Sequence, residues 1–223
     1  MNPTQCGEAT DDNGPVMGPW AMTDPRESLQ HYLQQARDAL VWKTEGLPQR
    51  ELRMPRTVTG TNLLGLVKHC IAVEAGYLGH TFGRPFPDFE TAMPWLRSWV
   101  DPSVPEVFEE DLFATETESA QGLVDLYRRV WAHGDETIAL LDLDAPGRVP
   151  WWSPEKADVT LHQVLVHLVA ELQRHAGHAD ILREGIDGSA GVNRRFGNLW
   201  TTVEDRPAHV ARLREIAERF PVD

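Results

Sequence analysis

Cysteine is nearly missing from this sequence. Cys6 and Cys70 are the only two, too few and too far apart for a disulfide framework, so a reducing, cytoplasmic setting is expected. Basic residues are also scarce: 21 lysines and arginines face 34 acids, a formal net charge of −13. No basic stripe runs along any segment, which argues against nucleic acid as a partner. No run approaches the ~18 apolar residues of a membrane span, so no membrane partner is expected. Residues 1–20 are rich in Gly, Pro and acids and lack the apolar core of a signal peptide. Internal repeats, low-complexity blocks and a convincing series of strands are absent as well.

Hydrophobic residues make up 41% and charged residues 25% of 223 positions, enough for one soluble domain with a sizeable core. Apolar period and capping signals predict five helices. The first starts at Asp24-Pro25, an N-cap followed by proline, and carries Leu29, Leu33, Ala36 and Leu40 towards Gly46. The second runs from Thr61 or Asn62 to about Gly83. The third covers roughly Ser119 to Leu141. The fourth begins after Asp158 or Thr160 and stops near Gly185 or Gly188. A shorter, more charged fifth spans Glu204 to Phe220. Two long loops, Arg84 to Glu118 and DLDAPGRVPWWSPEKAD, separate the middle helices, and ordered loops of such length tend to be functional. The expected organisation is all-α: a disordered tail over 1–23, a helical bundle over 24–190 and a helical extension over 191–223.

The fourth predicted helix contains HLVAELQRHAGHADILREG, with three histidines and a glutamate on one side. With His167 at zero on a helical wheel, Glu171, His175 and His178 fall at about 40°, 80° and 20°. The apolar stripe (Leu161, Leu165, Leu168, Leu172, Ala176, Ala179) spans about 100° to 180° on the same wheel. Gln173, Asp180 and Glu184 mark the expected wet face at about 220° to 260°. The titratable stripe therefore borders the core. Glu171 and His175, one turn apart, can grip one ion. They can equally form a helix-surface hydrogen bond with no metal. A third ligand must come from a facing helix, and His69 in NLLGLVKHCIAVE is the candidate, although alone it reads as a satisfied core histidine.

NLLGLVKHCIAVE and, about a hundred residues later, VHLVAELQRHAGHADILREGIDG resemble the DinB family. The likeness is closest to the actinobacterial-type members related to mycothiol-dependent maleylpyruvate isomerase, and it covers about residues 26–188. The resemblance implies an up-down four-helix bundle that holds a divalent metal. It implies His69, Glu171 and His175 as ligands, with glutamate rather than histidine at the earlier position of the pair, as in the mycothiol-dependent type. His178 and His167 are then candidates for supporting positions beside the ligands. Zinc is the expected ion, with Ni2+, Fe2+ or Mn2+ as alternatives, and mycothiol is the implied co-substrate.

Two histidines and a glutamate leave a coordination position open, as catalytic zinc sites do. An open zinc favours the thiolate of a bound thiol. The expected function is thus a metal-dependent S-transferase or isomerase using a low-molecular-weight thiol and a small electrophile. A metal-dependent hydrolase and a non-catalytic metal-binding or stress-response protein are the alternatives. A homodimer is expected from the resemblance, helped by the aromatic surplus of Trp95, Trp99 and Trp200. Among other candidates, Cys70 reads as packing and the Trp151-Trp152 pair as a loop plug over the core. His80 and His162 read as surface residues, His133 has no evident partner, and Arg174, Arg183 and Glu184 read as a helix face or dimer contact.

Overall fold

The computed structural model describes Met22 and residues 24–100, 103–104, 110–194, 197 and 204–221, with Trp99 and Val100 by backbone only. The expected tail (Met22 apart), the Trp99 side chain and Trp200 lie outside the described residues. Helix dominates. The long helices are α1 (Pro25–Trp42), α3 (Leu63–Glu74), α6 (Ala120–Leu140) and α7 (Leu161–Asp187). Short helices α2 (Gln49–Arg53), α4 (Phe89–Ala92) and α5 (Arg97–Val100) lie in the connections, and α8 (Arg206–Ala217) follows. No described helix is long and apolar enough to cross a membrane.

Local chemistry sets the ends of the long helices. The side chains of Asp24, Asn62, Ser119 and Thr160 accept hydrogen bonds from the backbone N–H of Arg26, Gly65, Gly122 and Gln163. Beyond Glu74 the α3 backbone loosens into a π turn, Ala75–Gly79, then tightens into a 3-10 turn, His80–Phe82. Gly83, at φ 66°, stops it in the left-handed conformation that glycine adopts without strain.

Helix α3 is the central element. It packs on both α6 and α7, while α1 packs on α7. One continuous core includes Leu33 and Leu40 of α1, Leu64 and Ile71 of α3, Tyr127 and Val130 of α6, and Leu165, Leu168 and Leu172 of α7. Each such leucine or isoleucine stabilises the fold by roughly 1.5–3 kcal/mol of apolar burial. Polar ties reinforce the apolar ones. Buried Arg37 of α1 meets Glu74 of α3 at 2.6 Å and Asp135 of α6 at 2.8 Å.

Several readings of the sequence need correction. A two-stranded antiparallel ribbon, β1 (Pro146–Arg148) and β2 (Asp158–Thr160), stands in the loop before α7, with Gly147 opposite Val159. Three-residue strands carry no visible alternation, so their pairing is invisible to periodicity. His80 is half-buried against Phe89, because the chain folds back after Gly83. His133 has a partner: its Nε2 lies 2.7 Å from the Arg84 carbonyl. Arg183 is buried, not an ordinary helix face; it donates to the carbonyls of Lys43, the C-cap of α1, and Glu45 in the turn that follows. Asp180 is not on a wet face either, since Lys43, the C-cap of α1, reaches it at 2.6 Å. Trp95 is half-buried with the Lys68 ammonium 4.3 Å from its ring, so it is no free aromatic surface. His162 is exposed, as read.

Candidate metal centre

Every residue of α3 from Leu63 to Glu74 is buried except His69. An imidazole here is the one place where this helix offers a polar group to an opening rather than to the core. Opposite it, α7 presents Glu171 and His175 on successive turns, on the border of its apolar stripe. The two helices therefore supply the three side chains from rigid, capped elements.

The geometry is close. His175 Nε2 lies 2.9 Å from Glu171 Oε1, and His69 Nε2 lies 3.6 Å from the same oxygen. The imidazole rings of His69 and His175 meet edge to face, 4.7 Å between centroids. One ligand atom from each of the three residues can be chosen so that all lie within 4.8 Å of one another. Zinc bonds of about 2.0–2.2 Å would put tetrahedral ligand pairs about 3.4 Å apart, so the 2.9 Å contact would open and the most distant pair would close.

On its other side, His69 Nδ1 lies 2.6 Å from Asp111 Oδ2. An ionised carboxylate only accepts, so Nδ1 is the donor. In the neutral ring, Nε2 then carries a lone pair aimed at a second acceptor, Glu171. Two acceptors facing each other with no hydrogen between them is the arrangement a cation resolves. In His175, Nδ1 is buried without a hydrogen-bond partner. The ring points Nε2 at the cluster at the expense of its other nitrogen.

Electrostatics suits ligation too. Burial favours a neutral Glu171, but the hydrogen bond and charge of His175, with His69 behind it, outweigh burial and hold the carboxyl below its ordinary range. Burial lowers the pKa of His175 against the pull of Glu171; its Nε2–H donates to the carboxylate, and a cation would take the place of that proton. The residues present, two histidines and one glutamate on facing helices, fit a divalent cation.

His178 is exposed on the next turn, its ring 5.5 Å from that of His175. His167 turns away to Tyr77 and Trp152, at 4.7 and 5.6 Å between ring centroids. Trp152 donates from Nε1 to the Tyr77 hydroxyl at 3.0 Å, and Trp151 lies so close to Gly76 that a Cβ there would meet its ring at 2.7 Å. The tryptophan pair caps this end of the core. Cys70 is buried, and burial first, then the charges of Glu74 and Glu171, push its thiol pKa well up.

A cavity of about 380 Å³ opens beside the cluster, with His175 and His178 on one side and Thr59, Asn62, Leu112 and Phe113 on the other. A larger one of about 700 Å³ lies at the far end of α7, around Arg183, Asp187 and Arg206. Of the three clustered residues, His175 lines the smaller. The sequence reading missed Asp111 and the cavity wall at Leu112 and Phe113. Both sit in an aperiodic loop, and no spacing rule links Asp111 to His69.

Comparison with known proteins bears on this site. No curated protein matches the sequence significantly. Residues 28–188, from α1 through the glycine that ends α7, match the family described as mycothiol-S-transferase. That span is more than two thirds of the sequence and contains His69, Asp111, Glu171 and His175. The chain belongs to the mycothiol-S-transferase family.

Proposed function

We propose that this protein is a metal-dependent S-transferase that joins mycothiol to a small electrophile. The observation that carries the reading is the convergence of His69 Nε2, His175 Nε2 and a Glu171 oxygen, with His175 lining the 380 Å³ cavity. A divalent cation, zinc by ligand type, would supply Lewis acidity and favour a thiolate over a thiol near neutral pH. The protein's own residues do the rest. His69 and His175 offer neutral nitrogens, Glu171 offers negative charge, and Asp111 fixes one ring. The cavity orients the thiol and the electrophile, with Leu112 and Phe113 supplying apolar wall and Thr59 a hydroxyl. In such a transfer the thiol proton passes to solvent, sulfur bonds to the electrophilic carbon, and the leaving group departs with its electron pair.

The same proposal takes the four long helices as an up-down bundle over 24–190, with 191–223 as an extension. A homodimer belongs to it on family resemblance alone, since Trp95 is occupied by Lys68. The decisive experiment is elemental analysis of the purified protein, followed by addition of mycothiol to a cobalt-substituted form. About one ion per chain, a sulfur-to-metal charge-transfer band and consumption of thiol with a model electrophile are expected. Ester or amide hydrolysis without thiol would move the assignment to a hydrolase, and rearrangement of a substrate without net thiol loss to an isomerase. Metal binding with neither band nor turnover would leave a binding protein.

A further inference from the structure

The turn that carries Asp111 is built into α3 at successive points. Asn62, which caps α3, donates from Nδ2 to the Leu112 carbonyl at 3.3 Å. Lys68 donates from Nζ to the Phe113 carbonyl at 3.1 Å and meets Glu118 at 3.0 Å. Between them, Gly65 lets the turn approach the helix: a Cβ there would stand 1.9 Å from the Leu112 carbonyl oxygen. No side chain fits that gap. The 3-10 turn Glu110–Leu112 is thereby pressed onto the N-terminal half of α3, and its middle residue reaches His69 at 2.6 Å. The side chains of His69 and Asp111 are only 19% and 14% exposed, so their hydrogen bond is largely shielded from competing water.

We propose that Asp111 is the positioning residue of the metal centre. It holds the proton on His69 Nδ1, turns Nε2 towards Glu171 and His175, and makes that nitrogen a better donor to a cation. The general reason is that a carboxylate on the far nitrogen of a ligating imidazole fixes its tautomer and raises its basicity. The inference rests on the metal reading above and adds a fourth residue to it. It also gives the turn two tasks, because Leu112 and Phe113 of the same short segment wall the cavity. The gap at Gly65 therefore serves the metal through Asp111 and the cavity through Leu112.

The test is metal affinity by competition with a chelator, in wild type, Asp111→Ala, Asp111→Asn and Gly65→Ala. Asp111→Ala should bind zinc about 10- to 100-fold more weakly. Asp111→Asn keeps an acceptor for Nδ1–H without its charge and should lose less. Gly65→Ala displaces the turn without touching a ligand, so it should weaken binding as well, and combining it with Asp111→Ala should add little. NMR of the zinc-loaded protein gives a readout independent of activity: a protected, downfield His69 Nδ1 proton, kept in Asp111→Asn and lost in Asp111→Ala. Wild-type zinc affinity in Asp111→Ala with that proton intact would overturn the inference and leave the metal reading standing. A wild-type protein that binds no divalent metal would sink both.

Discussion

Cys70 and His69 are neighbours in the chain, yet their side chains have opposite fates. His69 reaches the opening between α3 and α7, while Cys70 is sealed in the core, where burial and nearby carboxylates disfavour its thiolate. In a Cys6→Ser background, native Cys70 should resist an aromatic disulfide reagent and react only on unfolding. Cys70→Ala should keep the metal stoichiometry and cost about 1 kcal/mol, the value of a small buried group. Rapid labelling of the native protein would show that the thiol is accessible and reopen a role for it. The residues of the cluster were legible because each stands on a helix where spacing has meaning. Glu171 and His175 are four apart, and His69 stands with Lys68 inside an otherwise apolar run. Asp111 was not legible: its contact with His69 crosses 42 positions from an aperiodic turn.

Long helices announce themselves because their signals are local. Asp24-Pro25, Asn62, Ser119, Thr160 and Gly188 are caps that work wherever the helix packs. The short helices α2, α4 and α5, the β1–β2 ribbon and the π turn after Glu74 have no comparable signal, since their shape depends on what they pack against. Helix α7 also shows how a polar residue can be misread from its wheel position. Gln173 and Asp180 point away from the apolar stripe, but α1 lies on that side and Lys43 pairs with Asp180. At its end, Arg183 holds Asp187 at 2.6 Å, and this hydrogen bond, helped by those from Ser189, brings the Asp187 pKa from 3.8 to about 2. A folded-state pKa below the unfolded one stabilises the native state fully above about pH 4, and the effect is lost as pH falls through about 2. Asp187→Asn should therefore cost about 1 kcal/mol at pH 7, a figure reduced for solvent screening of a partly exposed carboxylate. Denaturant titrations should show the difference shrinking below pH 4 and vanishing near pH 2. A constant difference across that range would mean that the Arg183–Asp187 pair is not its source.

For the molecule as a whole, the candidate centre joins the two elements that organise the core. α3 is packed on α6 and α7, α7 is packed on α1 and α3, and the cluster spans α3 and α7. A cation bound there closes a link between residues about a hundred positions apart, and it binds the folded chain far better than the unfolded one. Thermal stability should then follow metal occupancy by mass action, with about 4 kcal/mol gained when free zinc is 1,000 times its dissociation constant. For a domain of this size, 1 kcal/mol corresponds to roughly 2–4 °C, so calorimetry should show a rise of about 10 °C over the chelated protein. His175→Ala leaves only two of the three ligands and should reduce that rise to a degree or two, while its chelated form melts near the chelated wild type. Comparable zinc-dependent shifts in wild type and His175→Ala would place the ion elsewhere on an acidic surface of net charge −13. No shift in either protein would mean that α3 and α7 are held by the apolar core alone.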